Sequence, residues 1–307
     1  MTEPDREELQ ARARSFGSVA AGYAALRPGY PADAVAFLVG AGSRRVLDLG
    51  AGTGLLTQVV HDAGHDVVAV DPSREMLGEL SARLPGVTTA VGTAEAIPVG
   101  DATVDAVVAG QAAHWFDPAP AAREIRRVLR PGGVLGLVWN TRDERVPWVG
   151  ALGGLIEAEA RGHEADQGVV DRFADELDAS VDVAESGIVQ QVTPEDVVAG
   201  IATRSYVALM DDARRTAFLA GVRALLADHP DTSVRHLLAL PYGTRAYRLT
   251  PGGSAPAARA GCPPVRTCRN PISSGGRRRR RPAGRAAGSC RRAGRDRRSG
   301  ARRRTRR

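Results

Sequence analysis

The stretch Val46–Thr57, VLDLGAGTGLLT, constrains the fold of this chain more than any other. Val46, Leu47 and Leu49 are apolar enough for the centre of a parallel sheet. Asp48 stands among them, at what reads as the strand's carboxyl end. Gly50, Gly52 and Gly54 follow with single spacers, and glycine permits positive φ and close approach of a ligand to the backbone. Leu55, Leu56, Val59 and Val60 then recur at helical spacing. A ligand lying on such a loop meets backbone N–H groups and the positive end of a helix. The same residues also read as an ordinary strand-to-helix turn without a ligand.

The pattern resembles the first motif of the class I S-adenosylmethionine-dependent methyltransferases. A dinucleotide-binding fingerprint runs G-x-G-x-x-G, with no acid two positions ahead of its first glycine; here the glycines run G-x-G-x-G behind Asp48. The resemblance implies S-adenosyl-L-methionine as cofactor. It implies that Asp48 accepts from the methionine ammonium and that Gly50, Ala51, Gly52 and Gly54 pass beneath the cofactor. It also implies an α/β fold: a doubly wound, mainly parallel, seven-stranded Rossmann-like sheet with an N-terminal helical lid.

Upstream, Phe16, Val19, Ala20 and Tyr23 share a helical face that Pro28 and Pro31 end. The segment with Tyr23, Arg27, Pro28 and Tyr30 resembles the lid of small-molecule methyltransferases, including those similar to trans-aconitate methyltransferase; it reads equally as a plain amphipathic helix. A helix from Ala32 to about Val39 leads into the first strand. Downstream, Val67–Val70 is a second apolar run ending in Asp71, at the spacing from Gly50 where an acid can accept from both ribose hydroxyls. Asp71 precedes Pro72 and reads also as a helix N-cap. Met76, Leu77, Leu80 and Leu84 give the next helix a buried stripe.

Val87–Val91 predicts a third strand, and by resemblance the loop after it, with Thr93, Ala94 and Glu95, covers the adenine. The family often carries Asp where this chain has Thr93. Val104–Ala109 predicts the fourth strand, followed by Gly110, Gln111, His114 and Trp115. Ligands bind at the carboxyl ends of such strands, so this loop is expected to face the reacting group. His114 is the candidate general base and, with Tyr23, Arg27 and Trp115, a candidate acceptor contact; it reads also as a structural histidine beside Trp115. A helix over Arg123–Leu129, stopped by Pro131-Gly132-Gly133, precedes a fifth strand, Val134–Trp139. Further on, Leu152, Leu155 and Ile156 suggest one helix, and Ala213–Ala227 another with Phe218, Leu219, Val222, Leu225 and Leu226 inward. Gly187–Val192 and Leu237–Arg248 are expected to close the sheet as an antiparallel pair. Thr203–Tyr206 reads as a helix end or as part of a substrate pocket.

Charge divides the chain. Residues 251–307 hold 19 arginines and one acid, Asp296, whereas residues 1–250 hold 23 arginines and 34 acids. The expected organisation is a lid over 1–31, a methyltransferase domain over 32–250 and an Arg-rich tail over 251–307. Arg, Gly, Ala, Pro and Ser make up 48 of the tail's 57 residues, so it cannot bury enough apolar surface to order itself. It reads either as a phosphate-binding arm or, favoured here, as an unselected, frame-shifted extension of a GC-rich gene, since every basic residue of the chain is arginine.

All three cysteines fall in the tail, so no disulfide, thiolate metal site or thiolate nucleophile is available to the body. An acidic body repels nucleic acid. No N-P-P-Y follows the fourth strand, which argues against methylation of adenine or glutamine amines. No apolar run reaches membrane-spanning length, and the first residues lack a signal peptide's basic and apolar regions, so a cytoplasmic monomer or homodimer is expected. The expected function is methyl transfer to a small-molecule O-, N- or C-nucleophile, a carboxylate among them, without a metal. Three alternatives stand beside it: a cofactor-binding protein without turnover, an NAD-dependent oxidoreductase on a related fold, and a nucleic-acid binder acting through the tail.

Overall fold

A computed structural model describes residues 26–42, 44–156, 163–204, 207 and 210–252. All lie in the first of two units, Met1–Pro256 and Ala257–Arg307. Tyr23 and most of the expected lid, Ser205, Tyr206, and the tail beyond Gly252 fall outside the described residues.

The elements run α1 (Ala32–Val39), β1 (Arg45–Leu49), α2 (Leu55–Asp62), β2 (Asp66–Asp71), α3 (Arg74–Arg83), β3 (Thr88–Val91), β4 (Val104–Gly110), α4 (Pro118–Val128), β5 (Leu129–Arg142), α5 (Pro147–Leu155), α6 (His163–Leu177), β6 (Ala179–Val192), α7 (Pro194–Ala202), α8 (Asp212–Asp228) and β7 (Leu238–Pro251). The seven strands form one sheet in the order β3-β2-β1-β4-β5-β7-β6. The pairs β1–β2, β1–β4, β2–β3 and β4–β5 are parallel. β7 runs antiparallel to both β5 and β6. Strand order reverses between β1 and β4, and a crevice opens at their carboxyl ends, where α/β sheets bind ligands.

Alternation along the strands sorts side chains to two faces. Leu47, Leu49, Val68, Val70, Val107, Leu135 and Leu137 pack with Ile125 and Val128 of α4 and Phe173 and Leu177 of α6. Val46, Val67, Ala69, Ala106 and Val108 face the other way, onto Val35 and Leu38 of α1, Leu56 and Val60 of α2, and Leu77 and Leu80 of α3. Burial on both faces explains why the central strands read as near-continuous apolar runs. A separate apolar cluster joins α5, α7 and α8 to Val192, Leu238, Leu240 and Tyr242.

Several expected boundaries shift. α4 covers Pro118–Val128, and Leu129 belongs to β5, because the Pro131–Gly133 segment bulges within a longer strand: Val104 pairs with Leu129 and Ala106 already with Val134. β6 begins at Ala179 rather than Gly187. Its side chains are mostly exposed at the sheet edge, so no apolar alternation marked it. α6 carried no expectation; Val169, Val170, Phe173 and Leu177 are its buried stripe. Of the three residues that suggested α5, Leu152 and Ile156 are buried and Leu155 is 43% exposed. In α8 only Val222 and Leu226 of the expected stripe are fully buried, with Phe218, Leu219 and Leu225 packed at the margin. Among the described residues no helix is long and apolar enough to cross a membrane.

Candidate cofactor and acceptor cleft

Asp48 is the next-to-last residue of β1 and is 0% exposed. Its Oδ2 accepts a 2.6 Å hydrogen bond from the Thr57 hydroxyl on α2. Its Oδ1 is buried and has no hydrogen-bond partner among the described residues, and Asp48 lines the cleft described below. Burial pushes this carboxyl up to about 7; the Thr57 hydroxyl opposes the rise and the neighbouring Asp71 adds to it. A buried acceptor without a donor is costly, and a ligand's donor or an ordered water would relieve that cost.

The glycine loop is held for three different reasons. Gly50 has φ +72°, and a Cβ there would sit 2.7 Å from the Cβ of Ala112 in the loop after β4. Gly52 has φ +56° and donates its N–H to Asp71 Oδ2 at 2.8 Å. Gly54 caps α2 at φ +85°, and a Cβ would meet Leu80 Cγ at 2.7 Å. Gly50 and Ala51 both donate to the Val70 carbonyl, at 2.8 and 3.1 Å, and Arg83 reaches across from α3 to the Thr53 carbonyl at 3.0 Å.

Asp71 closes β2 and is 8% exposed. Its second oxygen, Oδ1, accepts from Ser73 N–H at 2.8 Å. Burial raises this carboxyl above its ordinary value, against the two backbone donors. The N-cap reading of Asp71 is corrected: Ser73 caps α3, accepting from Met76 N–H. Asp71 instead fastens the glycine loop to the start of α3, and each oxygen keeps acceptor capacity toward a diol.

One cleft gathers Asp48, Gly50, Ala51, Gly52, Asp71, Pro72, Gln111 and Trp115 with Arg27 and Pro28, whose sequence positions span the lid exit, β1, β2 and β4. Gly54, Thr93, Ala94, Glu95 and His114 do not line it. Ala94 is buried in the core, and Glu95 Oε1 accepts from Asp117 N–H at 2.9 Å, tying the loop after β3 to the loop after β4. His114 sits in a short 3₁₀ turn with its ring 4.8 Å from that of Trp115.

Sequence reasoning missed Asn140 at the end of β5 and Tyr242 at the start of β7, which line the same cleft. It left Arg204 undecided: Arg204 lines the cleft, while Thr203 before it caps α7 and donates to the Gly200 carbonyl at 2.8 Å. Gln111 adopts φ +56°, with its N–H on the Val138 carbonyl and its side-chain amide on the Asn140 carbonyl at 2.9 and 2.8 Å. This left-handed conformation is uncommon for a residue other than glycine, and two hydrogen bonds hold it at the cleft wall.

A buried carboxylate oxygen without a partner, a glycine loop over a helix start, and a second carboxylate at the end of β2 on one cleft together define an α/β protein of the class I methyltransferase kind. A family model described as a methyltransferase domain matches residues 47–137. Over 237 residues, 77% of this chain and 95% of the relative, the sequence is 48% identical to an uncharacterized methyltransferase of Mycobacterium tuberculosis. It is 42% identical over 149 residues, 47% of this chain, to an uncharacterized methyltransferase of Schizosaccharomyces pombe of which 59% is covered. A solved structure from Anaeromyxobacter dehalogenans, assigned to the type II methyltransferases, superposes with a TM-score of 0.53 at 26% identity, over 73% of this chain and 97% of that one. The chain belongs to the S-adenosylmethionine-dependent methyltransferase family, and it is a methyltransferase using S-adenosyl-L-methionine.

Proposed function

We propose that the chain methylates a small molecule bearing an anionic group, with a carboxylate as the simplest acceptor. The observation that carries this reading is the charge layout of the cleft. Its two acids, Asp48 and Asp71, come from β1 and β2 and belong to the glycine loop. Its two cations, Arg27 and Arg204, come from elsewhere, and Leu26 beside Arg27 packs against Gly200 near Arg204. Asn140, Tyr242 and Tyr30 complete that part of the wall. Arginine suits a carboxylate because its planar fork donates two parallel hydrogen bonds.

S-Adenosylmethionine fits the acidic part: Asp48 Oδ1 would accept from its ammonium, Asp71 from its ribose hydroxyls, and Gly50–Gly52 would let the backbone approach it. Bound there, it supplies a methyl group already activated by the sulfonium. The protein's work is then alignment of the acceptor and exclusion of water, for which Arg27, Arg204, Trp115 and Phe116 stand on the cleft. An ionised carboxylate acceptor needs no strong base, and His114 is given none of that work.

The test offers methyl-labelled S-adenosylmethionine with tricarballylate or with its triamide. The acid should be methylated and the amide left alone. R27Q and R204Q should each raise the KM for the acid about 10- to 100-fold, the worth of a charge-assisted hydrogen bond, and leave the Kd for S-adenosylhomocysteine within about threefold. Equal turnover of acid and amide, or unchanged KM in both variants, would end the anionic reading.

A further inference from the structure

The geometry points to Asn140 as a positioning residue that holds the segment Arg27–Tyr30 onto the sheet and thereby sets one wall of the cleft. Asn140 ends the inward part of β5, opposite Thr244 of β7. Its Nδ2 donates to the Gly29 carbonyl at 2.9 Å, across 111 residues of sequence. Its Oδ1 accepts from the Thr244 hydroxyl at 2.6 Å, and Thr244 is 2% exposed. Its main-chain carbonyl receives the Gln111 side chain at 2.8 Å. One residue thus joins three chain segments that line the same cleft: the Arg27–Tyr30 strap, the loop after β4 and β5 itself.

The amide orientation is forced. A carbonyl only accepts, so the nitrogen of Asn140 faces Gly29 and the oxygen is left for Thr244. Aspartate has the right shape and lacks the donor; leucine lacks both groups; serine is too short to span the two partners. Gly29 stands between Pro28 and Tyr30, and Tyr30 in turn is buried against the sheet: a Cβ added at Gly110 would lie 2.5 Å from its hydroxyl. The strap is therefore pinned at two adjacent residues, by packing at Tyr30 and by a hydrogen bond at Gly29. Arg27, two residues before Gly29, is placed by that bond. The consequence for acceptor binding rests on the anionic reading above; the pinning does not.

The test uses the full chain and two variants, N140D and T244V. N140D keeps the acceptor for Thr244 and sets an oxygen against the Gly29 carbonyl. T244V removes only the hydroxyl that orients the amide. Hydrogen exchange followed by mass spectrometry, at saturating S-adenosylhomocysteine, should rise at least about tenfold in residues 26–31 of N140D and less in T244V, with β1 and the body of β5 and β7 unchanged. Stopped-flow binding of S-adenosylhomocysteine should show dissociation about tenfold faster in N140D with association within twofold, because the strap borders the cleft and Asp48 and Asp71 are untouched. Unchanged exchange in residues 26–31 of both variants would overturn the proposal. So would exchange rising equally along β5 and β7, which marks loosening of the sheet. Failure of the wild-type chain to bind S-adenosylhomocysteine would count against the cofactor assignment and leave the exchange result to decide the role of Asn140.

Discussion

Replacing Asp48 with Asn should make the ligand-free protein more stable at pH 8 and unable to bind its cofactor. The wild-type carboxyl has its pKa raised from 3.8 to about 7, first by burial, with Thr57 opposing and Asp71 adding. The folded chain therefore holds a proton on Asp48 that the unfolded chain has given up between those values. That contribution to stability is present at acid pH and is lost as pH rises, at up to about 1.4 kcal/mol per pH unit, flattening above pH 7. Ionising the buried group thus costs the fold roughly 4 kcal/mol at pH 8 and roughly 1–2 kcal/mol at pH 5. Asparagine keeps an acceptor for the Thr57 hydroxyl and never ionises. Its amide nitrogen takes the place of the unpartnered Oδ1, which costs about 1–2 kcal/mol. The balance favours D48N by about 2–3 kcal/mol at pH 8 and by roughly nothing at pH 5.

Urea unfolding from pH 5 to pH 8 checks this directly. The wild type should lose about 2–3 kcal/mol more than D48N over that range, and calorimetry should find no binding of S-adenosylhomocysteine to D48N. Wild-type affinity for S-adenosylhomocysteine should move the opposite way, tightening as pH rises toward 7, because the ammonium needs the ionised carboxylate. Parallel stability curves for the two proteins, or a D48N protein less stable than wild type at pH 8, would show that the orphaned oxygen is not a stored cost relieved by the ligand.

Other outcomes follow from the same geometry. G50A should lose about 2–4 kcal/mol of stability, from the left-handed backbone and the clash with Ala112, read by urea midpoint. D71A frees the Gly52 and Ser73 N–H groups and should weaken S-adenosylhomocysteine binding at least about 100-fold by calorimetry. H114A should keep turnover within about twofold of wild type, whereas W115A, which changes the cleft wall, should lower kcat/KM at least about tenfold. A chain ended after Pro256, beyond the last strand and the Gly252-to-Asp178 hydrogen bond, should bind S-adenosylhomocysteine as the full chain does and lose any salt-sensitive RNA retention.

The half of the cleft built from local signals was legible from the residues alone. A strand, its acid, the glycines and the next helix follow one another within Val46–Thr57, and the loop's conformational demands can be met only by residues of those types. Asp71 was legible because the second βα unit repeats the first at a fixed distance. β1, β2, β4, β5 and α1–α3 were found for the same reason, each burying both faces or one clean stripe; β3, none of whose residues is fully buried, was found from the short run Val87–Val91. His114 does not line the cleft although Gln111 and Trp115, close to it in sequence, do, because a 3₁₀ turn sends successive side chains in different directions.

The other half was illegible because its meaning lies in pairing across long separations. Asn140 reads as the end of an apolar strand, Thr244 as one polar residue in a strand, Gly29 as a turn glycine; none carries a local signature of binding. Their significance is created when β7 inserts antiparallel beside β5, setting Thr244 against Asn140, and when the strap brings the Gly29 carbonyl to the Asn140 amide. Arg204 is hidden the same way, behind a helix end whose Thr203 cap is a complete local explanation for the segment. The division has a functional logic. The part legible from local sequence is the part that resembles the family's first motif, and its geometry is written in backbone conformation. On the proposed reading, the acceptor side would be assembled from side chains of the strap, β5, β7 and the segment after α7, all of which line the cleft, so it could change residue by residue without disturbing the glycine loop. A relative that keeps Asp48, Gly50, Gly52 and Asp71 while replacing both Arg27 and Arg204 should therefore bind S-adenosylhomocysteine with similar affinity and refuse tricarballylate, and a relative that does so while still methylating it would place the specificity elsewhere.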